Sequence, residues 1–295
     1  MKPVIPKKLA VVQDISGFGR CSLSVAMPVI SACKVQACPI PTAVFSNHTG
    51  FSSFYKTDLT SSLPSFFEEW NTLDFHFDGI YCGYLVNTKQ IQSITSYIKE
   101  VKMQLSDSSN FYLFIDPVMG DHGKLYKGLP DDYLAAMKQF ISNADIITPN
   151  LTEACLLTDT PYPDFPISID FLEALIEKLF VYNVNAIVIT GILREQNIGN
   201  YIYEKKSAQH HFIEVPLKSH SRPGTGDIFA SIIFSSYING YPLLECVKKA
   251  TDFICICTKA SDEAFVPIQE GVIFENYIDL LNTSDLLKHQ SSQMS

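Results

Sequence analysis

The sequence alternates between two kinds of segment, and that alternation limits the folds open to it. Short runs of β-branched, aliphatic and aromatic residues recur as LAVVQD (9–14), CPIPTAVF (38–45), GIYCGY (79–84), YLFIDPV (112–118), DIITPN (145–150) and AIVITG (186–191). Between them, NTKQIQSITSYIKEVKMQL, DDYLAAMKQFISNA and SIDFLEALIEKLFVYN place apolar residues every three to four positions, the period of a helix with one buried face. Strands separated by such helices form βαβ units, so the spacing predicts an α/β fold with a mostly parallel sheet covered by helices on both faces. Residues 199–216 read instead as a hairpin that extends one edge. Two long helices, 226–238 and about 242–260, are expected to close the structure. No repeat, low-complexity tract or linker interrupts the chain before its SSQMS tail, so residues 1–295 are expected to form a single domain.

With 46% hydrophobic residues in 295, the chain has ample material for a core. Its 31 acidic residues outnumber 22 basic ones, and a net charge of −9 without a basic run argues against nucleic acid as a partner. No segment reaches the roughly 18 apolar residues of a membrane span. The start, MKPVIPKKLAVVQD, lacks the small-residue cleavage site of a signal peptide, which points to a cytoplasmic protein without a membrane partner. Eight cysteines are scattered through apolar sequence, as expected of reduced thiols. Cys255 and Cys257, in DFICICTK, fit packing better than metal binding, and the adjacent His210 and His211 should point to opposite faces of a strand.

In open parallel sheets ligands bind beyond the carboxyl ends of the strands, and the expected strand exits here are polar. They read Asp14-x-Ser16-Gly17-x-Gly19, Ser46-Asn47-His48-Thr49-Gly50, Gly83-Tyr84, Asp116-Pro117-x-x-Gly120-Asp121, Thr148-Pro149-Asn150-x-x-Glu153 and Thr190-Gly191. A shared cleft explains polar clusters at six exits better than chance does.

The segment PGTGDIFASII then raises a specific chemistry. Gly224, Thr225 and Gly226 allow a turn whose N–H groups point inward, and the following helix adds its unpaired amides and positive dipole end, which together make an anion hole. Asp227, in the first helical turn, either caps its helix or accepts a proton from an alcohol while the amides hold a phosphoryl group. Asn150 and Glu153 have the spacing of a capping box. Yet Glu153, Asp116 and Asp121 also place three carboxylates at neighbouring exits, where a hard cation such as Mg²⁺ with its waters would offset their repulsion.

Other nucleotide and hydrolase patterns fail. Gly123-Lys124 is followed by leucine and has no glycine five residues earlier, so there is no Walker loop. GFGRCS has Ser22 in place of a third glycine, and no acidic residue from 15 to 57 is available to hold a ribose. Ser16 lacks the flanking glycines of a nucleophile elbow.

Taken together, FSNHTG (45–50), GYL (83–85), DPVMGD (116–121), TPNLTEA (148–154) and PGTGD (223–227) resemble the ribokinase-like superfamily, and within it the pyridoxal/pyridoxamine kinases. The resemblance runs from about residue 8 to 262. It implies a three-layer α/β/α sandwich, transfer of the ATP γ-phosphoryl group to the 5′-hydroxymethyl of a B6 vitamer, and a homodimer. It implies ATP and Mg²⁺ as cofactors, a monovalent cation being a further option. By this likeness Asp227 would be the base, with Gly224, Thr225 and Gly226 as the anion hole. Asp121 and Glu153 would organise the metal, with Asp116 nearby, and Thr148, Asn150 and Thr190 would contact the nucleotide phosphates. Phe45, Thr49 and Tyr84 would line the ring pocket, with Asn47 and His48 shaping its turn.

One segment departs from that pattern. Many pyridoxal kinases have a Ser-His pair after the first strand, whereas Gln13-Asp14-Ile15-Ser16-Gly17 looks more like the hydroxymethylpyrimidine kinases. Asp14 or Ser16 would then meet the polar ring substituents. A hydroxymethylpyrimidine or dual-specificity kinase is the alternative enzyme, and a catalytically silent sensor of nucleotide or vitamin the alternative of another class. Adenine contacts are expected from 205–222 and the last helix, and residues 48–57 fit either a flap or an ordered edge hairpin.

Overall fold

The computed structural model describes residues 5–105, 111–142 and 144–282; the SSQMS tail lies outside them. Contacts divide the chain into two compact units, Met1–Thr57 with His76–Asp78 and Lys218–Ser295, and Asp58–Phe75 with Gly79–Leu217. Mostly parallel strands flanked by helices build both.

The first unit opens with β1 (Lys7–Ser16), α1 (Leu23–Ala32) and β2 (Val35–Phe45). Leu9 to Val12 are wholly buried, which is why β1 reads as an unbroken apolar run rather than an alternating one. It pairs in parallel with β2 from Lys7↔Val35 to Ser16↔Phe45, and the register shifts between Gln13 and Ile15. Such an irregularity re-aims side chains, and here it falls on Asp14. The three-residue β3 (Lys56–Asp58) follows β2 in the strand order, and residues 52–58 are exposed.

The second unit contains α2 (Leu63–Thr72), β4 (Gly79–Cys82), α3 (Thr88–Gln104) and β5 (Tyr112–Ile115). The small hairpin β6 (Gly120–Asp121) and β7 (Lys124–Leu125), α4 (Tyr133–Phe140), β8 (Ile146–Ile147), α5 (Leu151–Leu157) and α6 (Ile169–Leu179) follow. Then come β9 (Ala186–Arg194), β10 (Asn197–Glu204) and β11 (Gln209–Pro216). β4, β5, β8 and β9 run parallel, and β10 and β11 add the antiparallel edge hairpin anticipated from the sequence. The strands expected to reach residues 118 and 150 stop at 115 and 147. Pro117 and Pro149 have no N–H for the ladder, so the polar residues around them fall in loops.

Back in the first unit, α7 (Thr225–Ile238) is buried on nearly every side and packs against α8 (Leu243–Glu263) and α1. The sequence does not foreshadow α1. LSVAMPVISA is apolar almost throughout and carries Pro28, so it has neither helical period nor a clean helical interior. All eight cysteines are free, and among the described residues no helix is long and apolar enough to cross a membrane.

Candidate active site

In the first unit, the exit of β1 and the start of α7 converge on one carboxylate. Gly224 caps α7 at φ 83, a left-handed conformation that glycine adopts freely, and no side chain caps the helix. Asp227 turns away from its own helix. Its Oδ2 accepts the Ser22 N–H at 2.7 Å, and its Oδ1 accepts from Gln13 Nε2. Ser22 itself stands at φ 55, a strained position for a residue with a Cβ, which aims its N–H at the carboxylate. The capping role that the sequence left open for Asp227 is therefore not the one its carboxylate plays.

Asp14, Ser16 and Gln13 are 5%, 2% and 1% exposed, so the exit of β1 is polar and nearly dry. Burial raises the Asp227 carboxyl above the ordinary carboxylate range, against the opposing pull of the Ser22 N–H and Gln13. Asp14 is pushed up to about 7, chiefly by burial; the Ser22 hydroxyl draws it down and the charge on Asp227 drives it further up. Ser16 Oγ and Gln13 Oε1 are buried with no hydrogen-bond partner. Buried polar atoms are nearly always paired, so these two stand out at the exit of β1.

The raised Asp14 carboxyl carries a stability prediction. Its folded pKa lies above its unfolded value, so the native state holds the proton more tightly, and stability falls as pH rises toward and through about 7. Asp14→Asn should therefore stabilise the fold at pH 8 by on the order of 3 kcal/mol and give little or nothing near pH 4. Urea unfolding at the two pH values checks this; an equal effect at both would contradict it.

The FSNHTG turn is tied down by its own side chains. Phe45 is 3% exposed and packs on Phe54, with ring centroids 5.7 Å apart. Asn47 Nδ2 donates to Ser53 O at 2.8 Å, and its Oδ1 accepts from Ser46 Oγ at 2.7 Å. The His48 ring lies 4.7 Å from that of Phe51, while Thr49 is exposed. Residues 46–58 thus form a turn tied to Ser46 and Asn47 and running into β3.

In the second unit, Asp116 follows β5 and accepts from Thr148 Oγ1 at 3.1 Å. Asn150 and Glu153 form a reciprocal capping box at α5: Asn150 Oδ1 accepts the Glu153 N–H at 2.9 Å, and Glu153 Oε2 accepts the Asn150 N–H at 2.8 Å. Glu153 Oε1 also takes the Met119 N–H at 3.0 Å, and Asn150 Nδ2 donates to Gly120 O at 2.9 Å. Burial pushes the Glu153 carboxyl up to about 8, although these main-chain donors favour its charged form; Asp121 adds to the rise. Asp121 is itself exposed, and its carboxylate accepts the His122 N–H at 2.8 Å. Thr190 bridges to Asn150, and Tyr84 is half-buried just past β4. No group of three or more His, Cys, Asp or Glu among the described residues is arranged to hold a metal ion, so the three carboxylates do not form a protein-only cage.

Sequence reasoning missed Gln13 and Ser22, the two residues that hold Asp227. Each lies more than 200 positions away along the chain, and neither residue type signals its role.

A family profile of phosphomethylpyrimidine kinases matches residues 27–267. A pyridoxal kinase of Dictyostelium discoideum is 28% identical over 240 residues, covering 77% of this chain and 74% of its own. The crystal structure of a candidate phosphomethylpyrimidine kinase from Bacteroides thetaiotaomicron, in a form with pyridoxal, is 34% identical, with TM-score 0.88 over 94% of this chain and 96% of that one. Pyridoxal kinase from Lactobacillus plantarum is 29% identical, with TM-score 0.84 over 96% and 98% of the two chains.

Proposed function

The chain belongs to the phosphomethylpyrimidine kinase family, in its ribokinase-like pyridoxal kinase branch, and on that premise we propose that it transfers the ATP γ-phosphoryl group to the 5′-hydroxymethyl of a B6 vitamer. The observation that carries the mechanism is Asp227: a carboxylate off its own helix, gripped by the Ser22 N–H and Gln13, beside the amides of Gly224 to Gly226. A carboxyl raised above its ordinary range is better matched to taking a proton from an alcohol near neutral pH. The neighbouring amides would receive the charge of the transferring phosphoryl group. Little covalent chemistry is asked of the protein, so positioning and charge neutralisation supply most of the rate.

In the same unit, Asp14 and Ser16 would meet polar ring substituents, and Phe45 and Thr49 would form one wall of the ring site, on a turn shaped by Asn47 and His48. In the second unit, Thr148, Asn150 and Thr190 would contact nucleotide phosphates, with Asp116 alongside. The donors there are oxygen atoms, which suit Mg²⁺. With no three-residue cage, the ion would arrive with the nucleotide, and Asp121 and Glu153 would orient its waters. When bound, Mg²⁺ neutralises phosphate charge. The single-domain organisation, a homodimer and a cytoplasmic setting complete the proposal, the last supported by eight free cysteines.

A second reading, hydroxymethylpyrimidine as the acceptor, is favoured by the carboxylate at Asp14 and by the family profile. Measuring kcat/KM for pyridoxal, pyridoxamine, pyridoxine and hydroxymethylpyrimidine side by side, with ADP counted, decides between them. A B6 vitamer should lead by at least about tenfold; a lead for the pyrimidine would reverse the assignment.

Gly226 offers a second check. A Cβ there would meet nothing within 4 Å, so the fold does not require glycine at this position. Close approach of a phosphoryl group to the backbone does require it. Gly226→Ala should leave the melting temperature unchanged and lower kcat/KM by at least about tenfold; full activity would remove this loop from the phosphoryl site.

A further inference from the structure

Residues Val266–Gly271 turn their carbonyls, rather than their side chains, toward the acceptor half-site. Pro267, Ile268 and Gln269 are exposed. Phe265 at φ 54 and Gly271 at φ 83 bound the turn, with a short 3-10 turn between them. Donors from three separate loops end on its carbonyls. Arg222 Nη1 donates to Val266 O at 2.9 Å and to Pro267 O and Gly271 O at 3.3 Å each. Its Nε and Nη2 reach Asp262 Oδ1 at 3.2 and 2.8 Å. His48 Nε2 lies 2.6 Å from Gln269 O, so the ring carries its proton there and Nδ1 accepts the Gly50 N–H at 3.1 Å. Arg20 brings its main-chain N–H to Glu270 O at 3.1 Å and Nη1 at 3.3 Å.

Each donor stands beside a residue of the half-site. Arg222 precedes Gly224 by two positions, Arg20 precedes Ser22 by two, and His48 lies in the substrate turn. Packing leaves little slack between these loops. A Cβ on Gly271 would meet Arg20 O at 2.9 Å and Pro223 O at 3.1 Å, and one on Gly19 would meet His48 Cδ2 at 2.5 Å. Arg222 is 5% exposed, so any carbonyl it abandoned would be left unpaired in a dry place.

We propose that Val266–Gly271 is a positioning element of the acceptor half-site, holding the anion loop, the β1 exit and the FSNHTG turn in one register through Arg222, Arg20 and His48. These three are positioning residues, since none needs to touch a reacting atom. The catalytic consequence rests on the kinase reading above, whereas the mechanical link stands on the contacts alone.

The test separates the two. Arg222→Lys keeps a charge, but one ammonium cannot hold Asp262 on one side and three carbonyls on the other as the guanidinium does, and Gly271→Ala forces the turn away from Arg20 and Pro223 O without removing any donor. Hydrogen exchange should quicken by at least about tenfold at the amides of Arg20, Ser22 and Gly50 in both variants, although neither substitution touches the loop that holds Gly50. Changes confined to the residues flanking each substitution would overturn the link. Kinetically, Arg222→Lys and His48→Asn should each lower kcat/KM for pyridoxal by at least about tenfold, with the dissociation constant of an ATP analogue unmoved. Their double mutant should lose far less than the product of the two, because both release the same restraint. Multiplicative losses would overturn the coupling. If the unsubstituted protein formed no ADP with any vitamer, the kinase reading would fail, and the exchange result would still decide the mechanical link.

Discussion

Asp227→Asn should lower kcat by at least about 100-fold while the dissociation constant of an ATP analogue changes by less than about threefold, because removing a general base typically costs that much. The substitution is well suited to isolate chemistry from folding. Asn can still accept, through its amide oxygen, the Ser22 N–H that donates to Asp227 Oδ2 at 2.7 Å in the unsubstituted protein. Its new N–H₂ group would face Gln13, whose Oε1 is buried and unpaired, so a rotation of the Gln13 amide supplies an acceptor. The substitution also removes a carboxyl whose charged form burial disfavours, so stability should hold or rise. Turnover within tenfold of the unsubstituted protein would mean that another group takes the proton.

Gly224→Ala should be more damaging still, and for a different reason. The residue stands at φ 83, and a Cβ would lie 2.0 Å from Arg20 O. The obstacle is backbone, so no rotamer change relieves it; the Arg20–Ser22 loop itself must move. That loop supplies the Ser22 N–H to Asp227, so strain and loss of the grip on the base arrive together. We expect a destabilisation of about 2 kcal/mol or more, from the left-handed backbone alone. Activity should fall by at least about 1,000-fold. Two positions along, Gly226→Ala provides the contrast, since it meets no clash. Equal melting temperatures for the two variants would refute the close approach of these loops.

Why some of this could be foreseen and some could not follows from the range of the interactions. Strands such as AIVITG and helices such as SIDFLEALIEKL announce themselves because their period is written locally, and both formed. Asn150 and Glu153 were legible for the same reason: a capping box spans four residues, and its reciprocal bonds are present. The grip on Asp227 was not legible, because Gln13 and Ser22 contribute a side-chain amide and a main-chain N–H from the opposite end of the chain. The Val266–Gly271 turn was invisible in principle. It acts through carbonyls that every residue has, while Pro267, Ile268 and Gln269 face solvent. The helix α1 was missed because its more exposed face carries Met27, Pro28 and Ala32 beside Ser24 and Ser31, so apolar residues on both faces hide the amphipathic period, and Pro28 argues against helix by propensity alone.

The most direct test is a crystal structure of the protein with pyridoxal and a non-hydrolysable ATP analogue, in which the distance from the vitamer's 5′ oxygen to Asp227 is measured. A base poised for that hydroxyl lies about 3 Å from it, or one water away. A 5′ oxygen more than about 6 Å from both carboxylate oxygens, beyond one bridging water, would contradict the role of Asp227.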